Sequence, residues 1–405
     1  MKEKYKVIII GGGASGVACA LEIFSGAAPF SSEDVLILEA NDRLLKKLSA
    51  SGNGQGNIGN ACVSEKNYSG DERFVAQFIR NYEDARLIEY LNALGVLTVT
   101  EKNGRIYPMS MQANSVTDIL RYYLAAKNAK ILFGEKVVEV SDRNGVFQVT
   151  SQNGNKFMAE NVVLSFGGKA GSQFGTDGTS YALAEKFGHK TTKLYPSLVQ
   201  LKTEKAAIKG LNGVKERAKL SLFDKDKFLK SASGDILFTE YGISGNAVFQ
   251  ISDKAVTAES PVVVAEFLPE IGGDVIAREI ERRLKAKIIG KEDIFTGILN
   301  KKLGQAITRT VKSFDGNTLA RAVKNYRVNV TGTLGFNYAQ VTKGGISTAD
   351  IDSKTYRSKL KKGLYVVGEA LDVDGECGGY NLTFAFVSGM AAAKDIKNGY
   401  INHKL

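Results

Sequence analysis

Histidine is nearly absent from this 405-residue chain, with only His189 and His403, and the three cysteines, Cys19, Cys62 and Cys377, lie far apart with no CxxC. Two histidines leave no His-rich metal site and no HExxH motif, so no metal is expected. Scattered cysteines exclude zinc ribbons, iron–sulfur clusters and dithiol redox couples, and they suit a reducing cytoplasm. No apolar run approaches the ~18 residues of a membrane span. The amino-terminal MKEKYKVIIIGGG sets lysines ahead of apolar residues, but glycine ends that run too early for a secretory leader. These absences predict a soluble cytoplasmic protein with no membrane partner. Proline is scarce too, five residues against 43 glycines. Glycine this far above its average of about 7%, without proline enrichment or a Gly-X-Y period, excludes collagen and Pro/Gly-rich disorder. It points instead to tight turns and to bare backbone meeting a ligand.

The chain is otherwise ordinary, 43% hydrophobic and 24% charged. At about 150 residues per domain it should hold two or three. Its net charge of +11 is uneven: residues 196–334 carry 23 basic and 16 acidic groups. A basic surface can attract nucleic acid, acidic lipid or an anionic substrate. No aromatic RNA-binding string or arginine-rich run accompanies it, so a solvated lysine-rich face is expected and a nucleic-acid partner is not.

The first forty residues form a recognisable unit. Residues 5–10 are a short, branched, apolar run of the kind buried in parallel sheets. The run ends in Gly11-Gly12-Gly13-Ala14-Ser15-Gly16, a helix follows over 17–24, and a second strand over 34–39 finishes on Glu39. A GxGxxG alone is weak evidence. Here the preceding strand, the following helix, the spacing and the terminal acid coincide as in dinucleotide-binding folds. Gly11 permits the tight turn, Gly13 lets backbone approach a pyrophosphate, and Gly16 allows close helix–strand packing. The helix start offers free N–H groups to the phosphates, and Glu39 can accept hydrogen bonds from a ribose.

Downstream, the chain does not continue as an NAD dehydrogenase would. A loop over 51–60, rich in glycine and asparagine, is suited to wrapping amides around a polar ligand. Helices are expected over 72–100 and 115–127, and strands over 130–140 and 146–150, forming a small sheet around an Asn144-Gly145 turn. A buried strand over 162–166 ends in Gly167-Gly168. His189 follows a helix-ending Gly188 and reads as structural. Residues 196–270 are β-rich with a turn-dense stretch over 234–245, and short helices are expected over 274–288, 294–305 and 318–324. A strand over 363–369 then ends on Gly368-Glu369. It leads through a second glycine-rich loop (372–381) into a small-residue helix over 382–396, whose start favours negative charge.

Taken together, IIIGGGASG, KKLSASGNGQGN, GRIYPMSMQANSV, LFTEYGISGNAV, VTKGGIS and GLYVVGEALDVDGECGGYNLTFAFVSG resemble the HI0933-like flavoprotein family, which includes aminoacetone oxidases and BaiN-like NAD(P)H-dependent flavin reductases. The resemblance implies an α/β fold: a glutathione-reductase-like, FAD-binding Rossmann domain interrupted by a β-barrel-like domain with a small helical lid. The expected parts are 1–195 and 335–405 for the FAD domain and 196–334 for the insert, with its lid at about 272–325. It places FAD phosphates at Gly11, Gly13, Ala14, Ser15 and Gly16, and the ribose at Glu39 beside Ala40. Lys47, Ser51, Gly52, Gly54 and Asn57 would lie along the cofactor, with Val138 at the adenine. Gly167, Gly168, Gly368, Glu369, Asp374, Gly378, Gly379, Tyr380, Asn381 and Leu382 would lie toward the ribityl chain and ring. One departure stands out. The family loop commonly reads GGGRCN or GNGRCN, and here Gln55 and Gly56 replace the Arg-Cys pair, which puts the family's substrate or activity in doubt for this chain.

The expected activity is FAD-dependent hydride transfer, with reduction of a C=C bond by transient NADH or NADPH first. O₂-dependent oxidation of a small amine such as aminoacetone comes next, and an RNA-associated flavoprotein last. Tyr241 and Tyr380, in glycine-rich loops, are proton-donor candidates beside plain packing roles. Arg105 is a candidate for holding a substrate carboxylate beside a structural role. A small-molecule substrate and a monomer or homodimer are expected.

Overall fold

The computed structural model describes residues 4–26 and 30–402, so His403 lies outside the described residues. Two compact units divide the chain: Met1–Leu194 with Val341–Leu405, and Tyr195–Gln340.

The first unit is built on β1 (Tyr5–Ile10), α1 (Ala14–Ile23) and β2 (Val35–Glu39), the predicted strand–helix–strand unit. After it come β3 (Gly59–Asn60), β4 (Thr98–Thr100), β5 (Arg105–Pro108), β6 (Lys130–Phe133), β7 (Val137–Arg143), β8 (Val146–Ser151) and β9 (Lys156–Leu164). The carboxy-terminal segment returns as β10 (Leu364–Val366) and α2 (Tyr380–Asn402). The main sheet runs β6-β2-β1-β9-β8-β7, and β10 also pairs with β9. Pairing is parallel from β6 through β9 to β10 and antiparallel across β7, β8 and β9. β9 therefore serves two layers: its first half pairs with β8 through Lys156–Ala159, and its last three residues hold β10. Ile8, Ile9, Leu36, Ile37, Val162 and Val163 are fully buried. Covered on both faces, each such side chain contributes about 1.5–3 kcal/mol of hydrophobic stabilisation. α1 and α2 cross with backbones touching: a Cβ on Gly389 would lie 2.2 Å from the Ser15 carbonyl oxygen.

Two expectations in this unit are corrected. The helix expected over 72–100 ends at Ala85 and restarts as Leu87–Ala93, because Arg86 adopts a left-handed conformation (φ 45°). Residues 98–100 are strand β4, paired with β5 beside β3. The run 130–140 is likewise two strands, broken at Gly134 (φ 72°), and both join the main sheet rather than a separate small one.

The second unit is a closed antiparallel barrel. Around it run Leu201–Thr203, Gly242–Ser244, Lys227–Phe238, Lys215–Asp224, Pro261–Phe267 and Tyr326–Thr333, which closes on the first strand. Its core includes Leu220, Phe238, Ile243, Val263, Phe267 and Val328. Helices Gly273–Ala286, Lys301–Thr310 and Gly316–Lys324 pack their apolar stripes on the same core through Ile280, Leu303 and Leu319. The stretch 234–238, expected as turns, is the end of a long strand, and 294–300, expected as helix, is irregular up to Lys301. Among the described residues no helix is long and apolar enough to cross a membrane.

Candidate active site

The glycine turn after β1 has the geometry its spacing predicts. Gly11 is left-handed (φ 104°), and a Cβ there would fall 2.6 Å from the Ser165 carbonyl oxygen. A Cβ on Gly16 would fall 2.0 Å from the Gly11 oxygen, so α1 can approach the strand only without one. A Cβ on Gly13 meets nothing within 4 Å. That open side faces the start of α1, where Gly13 caps the helix without a side-chain bond and no acid occupies the first turn. The first N–H groups of a helix lack partners inside it, so the amides of Ala14, Ser15 and Gly16 present partial positive charge at this end.

Glu39, buried at the end of β2, accepts from the Gly12 amide at 2.7 Å and from the Asn41 backbone amide at 2.7 Å. Asn41 was not among the expected residues, since nothing in its sequence context marks it. Beside it Ala40 is exposed, and the Glu135 amide donates to the Glu39 carbonyl at 3.0 Å. Three residues further, Val138 is exposed near the start of β7. Glycine loop, acid and Val138 thus gather at one end of the sheet.

At the same strand ends, Lys47 binds the Glu369 carboxylate at 2.7 Å and the Ala170 carbonyl at 3.2 Å. Glu369 also accepts from the Thr342 amide at 2.9 Å, and the Thr342 hydroxyl accepts from the amides of Lys169 and Ala170. Gly168 has no room for a side chain, its Cβ position lying 2.3 Å from the Thr342 hydroxyl and 2.7 Å from Glu369. Gly167 is left-handed at φ 79°, and Gly368 at φ 71° backs onto the Ser15 hydroxyl. The loop 51–57 follows Lys47. The Ser51 hydroxyl is shut off from solvent with no hydrogen-bond partner, while Gly52 and Gly54 are left-handed. Asn57 spends its amide on the carbonyls of Gly59 and Ile106.

The carboxy-terminal loop supplies the other side. Gly378 (φ 138°) and Gly379 (φ 98°) lead into α2, and a Cβ on Gly379 would fall 2.1 Å from the Gly59 oxygen. Asn381 bonds both the amide and the carbonyl of Gly375, Asp374 is buried against Lys343 at 3.4 Å, and Leu382 is half-buried. Tyr380 is buried at the first position of α2, its hydroxyl reaching the Cys62 carbonyl at 3.5 Å. Burial raises its phenol above the ordinary tyrosine range; Glu376 and Cys62 push the same way and Arg105 opposes them. The Arg105 Nε lies 3.6 Å from the Cβ position of Gly378. Tyr380 and Arg105 are thus brought together. Tyr241 belongs to the barrel unit, where its carbonyl accepts from the Thr203 amide. His189 is buried with Nε2 at 2.8 Å from the Ser358 hydroxyl, and burial lowers its pKa.

The model of the HI0933-like protein Rossmann domain matches residues 5–395. The chain belongs to this family. It is 33% identical over 408 residues to the 3-dehydro-bile acid delta(4,6)-reductase of Clostridium scindens, covering 96% of this chain and 98% of that protein. It is 26% identical over 407 residues to the ribosomal RNA dihydrouridine synthase of Escherichia coli, covering 97% and 98%. Among solved structures it is similar to the 3-ketosteroid-delta4-(5alpha)-dehydrogenase of Rhodococcus jostii RHA1, with TM-score 0.51, 13% identity and coverage of 98% and 97%. This HI0933-like chain is a flavin-dependent oxidoreductase whose cofactor is FAD. The residues present fit that group: a free helix start over an open glycine face for phosphates, and an orphaned Ser51 hydroxyl in the loop that follows Lys47. In the 51–57 loop, Gly56 is left-handed (φ 81°) and a Cβ there would lie 3.0 Å from the Ala113 Cα, so any side chain at that position is strained, whereas Gln55 is exposed.

Proposed function

We propose that this protein reduces a C=C bond conjugated with a carbonyl in a small organic molecule, using NAD(P)H as electron donor. The substrate gains a hydride and a proton, and NAD(P)H becomes NAD(P)⁺. FAD, when bound, supplies the hydride transfer. The chain's own groups do the rest. The amides at 13–16 hold the pyrophosphate and Glu39 the ribose, with Ala40 and Val138 beside the adenosine. Lys47, Glu369, Ser51 and the glycines at 52, 54, 167, 168 and 368 line the path toward the ring. Asn57, Asp374 and Asn381, whose side chains are taken up by protein partners, shape the loops around it.

The observation that carries the reading is the pairing of Tyr380 with Arg105 at the Gly378-Gly379 entry to α2. A phenol held protonated can give its proton to the carbon or oxygen of a reduced enone. A guanidinium beside it polarises the carbonyl. The helix start stabilises negative charge on the same side. An end-to-end match to a reductase named for a conjugated bile-acid bond supports the substrate class.

Anaerobic spectra of the yellow protein test it. NADH or NADPH should bleach the flavin, and a 3-oxo-Δ4 steroid should restore it. Bleaching by aminoacetone alone would replace the reading with an amine oxidase.

The charge pattern favours a second reading. The uracil ring also carries a C=C bond conjugated with a carbonyl, most of the net positive charge falls in 196–334, and dihydrouridine synthases match nearly end to end. Binding to ribosomal RNA that survives ~100 mM salt supports it, and absence of retention there removes it.

A further inference from the structure

Asn60 occupies a junction that the reading above leaves unused. It is 2% exposed and pairs in β3 with Arg105 of β5. Its side-chain oxygen accepts from the Cys62 amide at 2.8 Å, and its side-chain nitrogen donates to the Gly378 carbonyl at 2.8 Å, 318 residues away. Its backbone amide donates to the Thr383 hydroxyl at 3.3 Å, and its carbonyl accepts from the Tyr82 hydroxyl at 3.2 Å. Every polar atom of the residue is therefore in use. The surroundings are cleared for it: a Cβ on Gly104 would lie 2.5 Å from the Asn60 side-chain oxygen, and one on Gly379 would strike the neighbouring Gly59 oxygen at 2.1 Å.

We propose that Asn60 is the positioning residue of the flavin-edge subsite, fixing the 378–380 loop and the start of α2 against the strand that carries Arg105. The carboxamide is suited to this because it gives one donor and one acceptor in a plane. One side chain can then hold the Cys62 backbone on one side and the Gly378 backbone on the other. Aspartate keeps the size and the acceptor but loses the donor, setting a carboxylate oxygen against the Gly378 carbonyl. Alanine drops both bonds and leaves buried backbone groups unpaired. In each case the loop is released while the glycine turn after β1 keeps its own bonds.

The proposal rests on the reading that α2 meets the flavin ring, and the experiment separates the two. The holoprotein is compared with Asn60→Asp, Asn60→Ala and Tyr380→Phe for FAD stoichiometry, flavin midpoint potential, amide exchange at 376–380 and steady-state kinetics with a 3-oxo-Δ4 steroid. Asn60→Asp should fold and keep one FAD per chain. Its exchange at 376–380 should rise while that at 11–16 does not, and its flavin potential should become more negative as the helix start withdraws. Its kcat should fall on the order of tenfold to a hundredfold, as misplacement by about 1 Å does, with KM moving less. Wild-type exchange and potential in a folded, loaded Asn60→Asp protein overturn the proposal. Raised exchange with an unmoved potential overturns it too, since a merely structural clasp behaves that way. In that case Tyr380→Phe decides whether the flavin-edge reading falls with it: an unmoved potential there says that it does.

Discussion

The Lys47 ammonium lies 2.7 Å from the Glu369 carboxylate, joining residues 322 positions apart across the carboxy-terminal ends of the sheet. Neither group is fully buried, with side-chain exposures of 31% and 20%. The pair holds the loop after β2 to the turn after β10, and both turns are proposed to face the cofactor.

Lys47→Met should therefore loosen FAD more than it loosens the fold. We expect about tenfold weaker FAD binding by fluorescence titration, equivalent to ~1.4 kcal/mol. The apoprotein should lose well under that in denaturant unfolding, because part-exposed ion pairs contribute about 0–1 kcal/mol. Equal losses in both measurements would show the pair to be structural.

Gly13 and Gly16 should separate in the same manner. Gly13 has an ordinary φ of −76° and open space at its Cβ, so Gly13→Ala keeps the fold and loses FAD affinity. Gly16→Ala places a methyl 2.0 Å from the Gly11 oxygen, and overpacking of this kind costs about 1–3 kcal/mol of stability. Denaturant unfolding of the apoprotein beside FAD titration checks both.

Tyr380 should give the reaction a flat pH profile through neutrality. Its raised phenol pKa keeps the proton in place up to and beyond the ordinary tyrosine range, so activity falls only on the alkaline side. Any stability tied to the neutral phenol is likewise present below the unfolded tyrosine pKa and lost as pH rises through the folded value. Tyr380→Phe should lower turnover of an enone about 10²–10⁴-fold, the range for loss of a general acid, and remove the alkaline limb. Rates measured from pH 6 to 11 test both points.

Gln55 and Gly56 should respond oppositely to restoration of the family's Arg-Cys. Gln55→Arg adds a cation at an exposed position and should leave unfolding within about 0.5 kcal/mol of wild type. Gly56→Cys forces a side chain into a left-handed backbone against Ala113 and should destabilise by ~1–3 kcal/mol. Thermal and denaturant unfolding of the two single variants and the double variant give the answer.

What the sequence made legible was local. The apolar run of β1, the glycines at 11, 13 and 16, and Glu39 carry their meaning within forty residues, because turn, helix start and acid are set by neighbours. The helix break at Arg86 and the strand through 234–238 were hidden. A positive φ at arginine has no local signature, and the strand Lys227–Phe238 leaves much of its length outside the core. Thr342 and Asn60 were missed for a different reason. Each is an ordinary polar residue whose side-chain partners, Lys169 and Ala170 for Thr342 and Gly378 for Asn60, come from distant segments, and only folding brings them together. The loop glycines near them were visible, but what they make room for was not.

The forked pairing of β9 sets an order on synthesis. Its first half can zip to β8 as soon as both leave the ribosome, whereas its last three residues wait for β10, some 200 positions later. The barrel unit is contiguous and can close in that interval. A nascent chain stopped just before β10 would thus carry a finished barrel and a nucleotide-binding half with a vacant lane in its sheet. It would lack Glu369, the 378–380 loop and α2, so on the site proposed above capture of the flavin ring falls among the last events of its biogenesis.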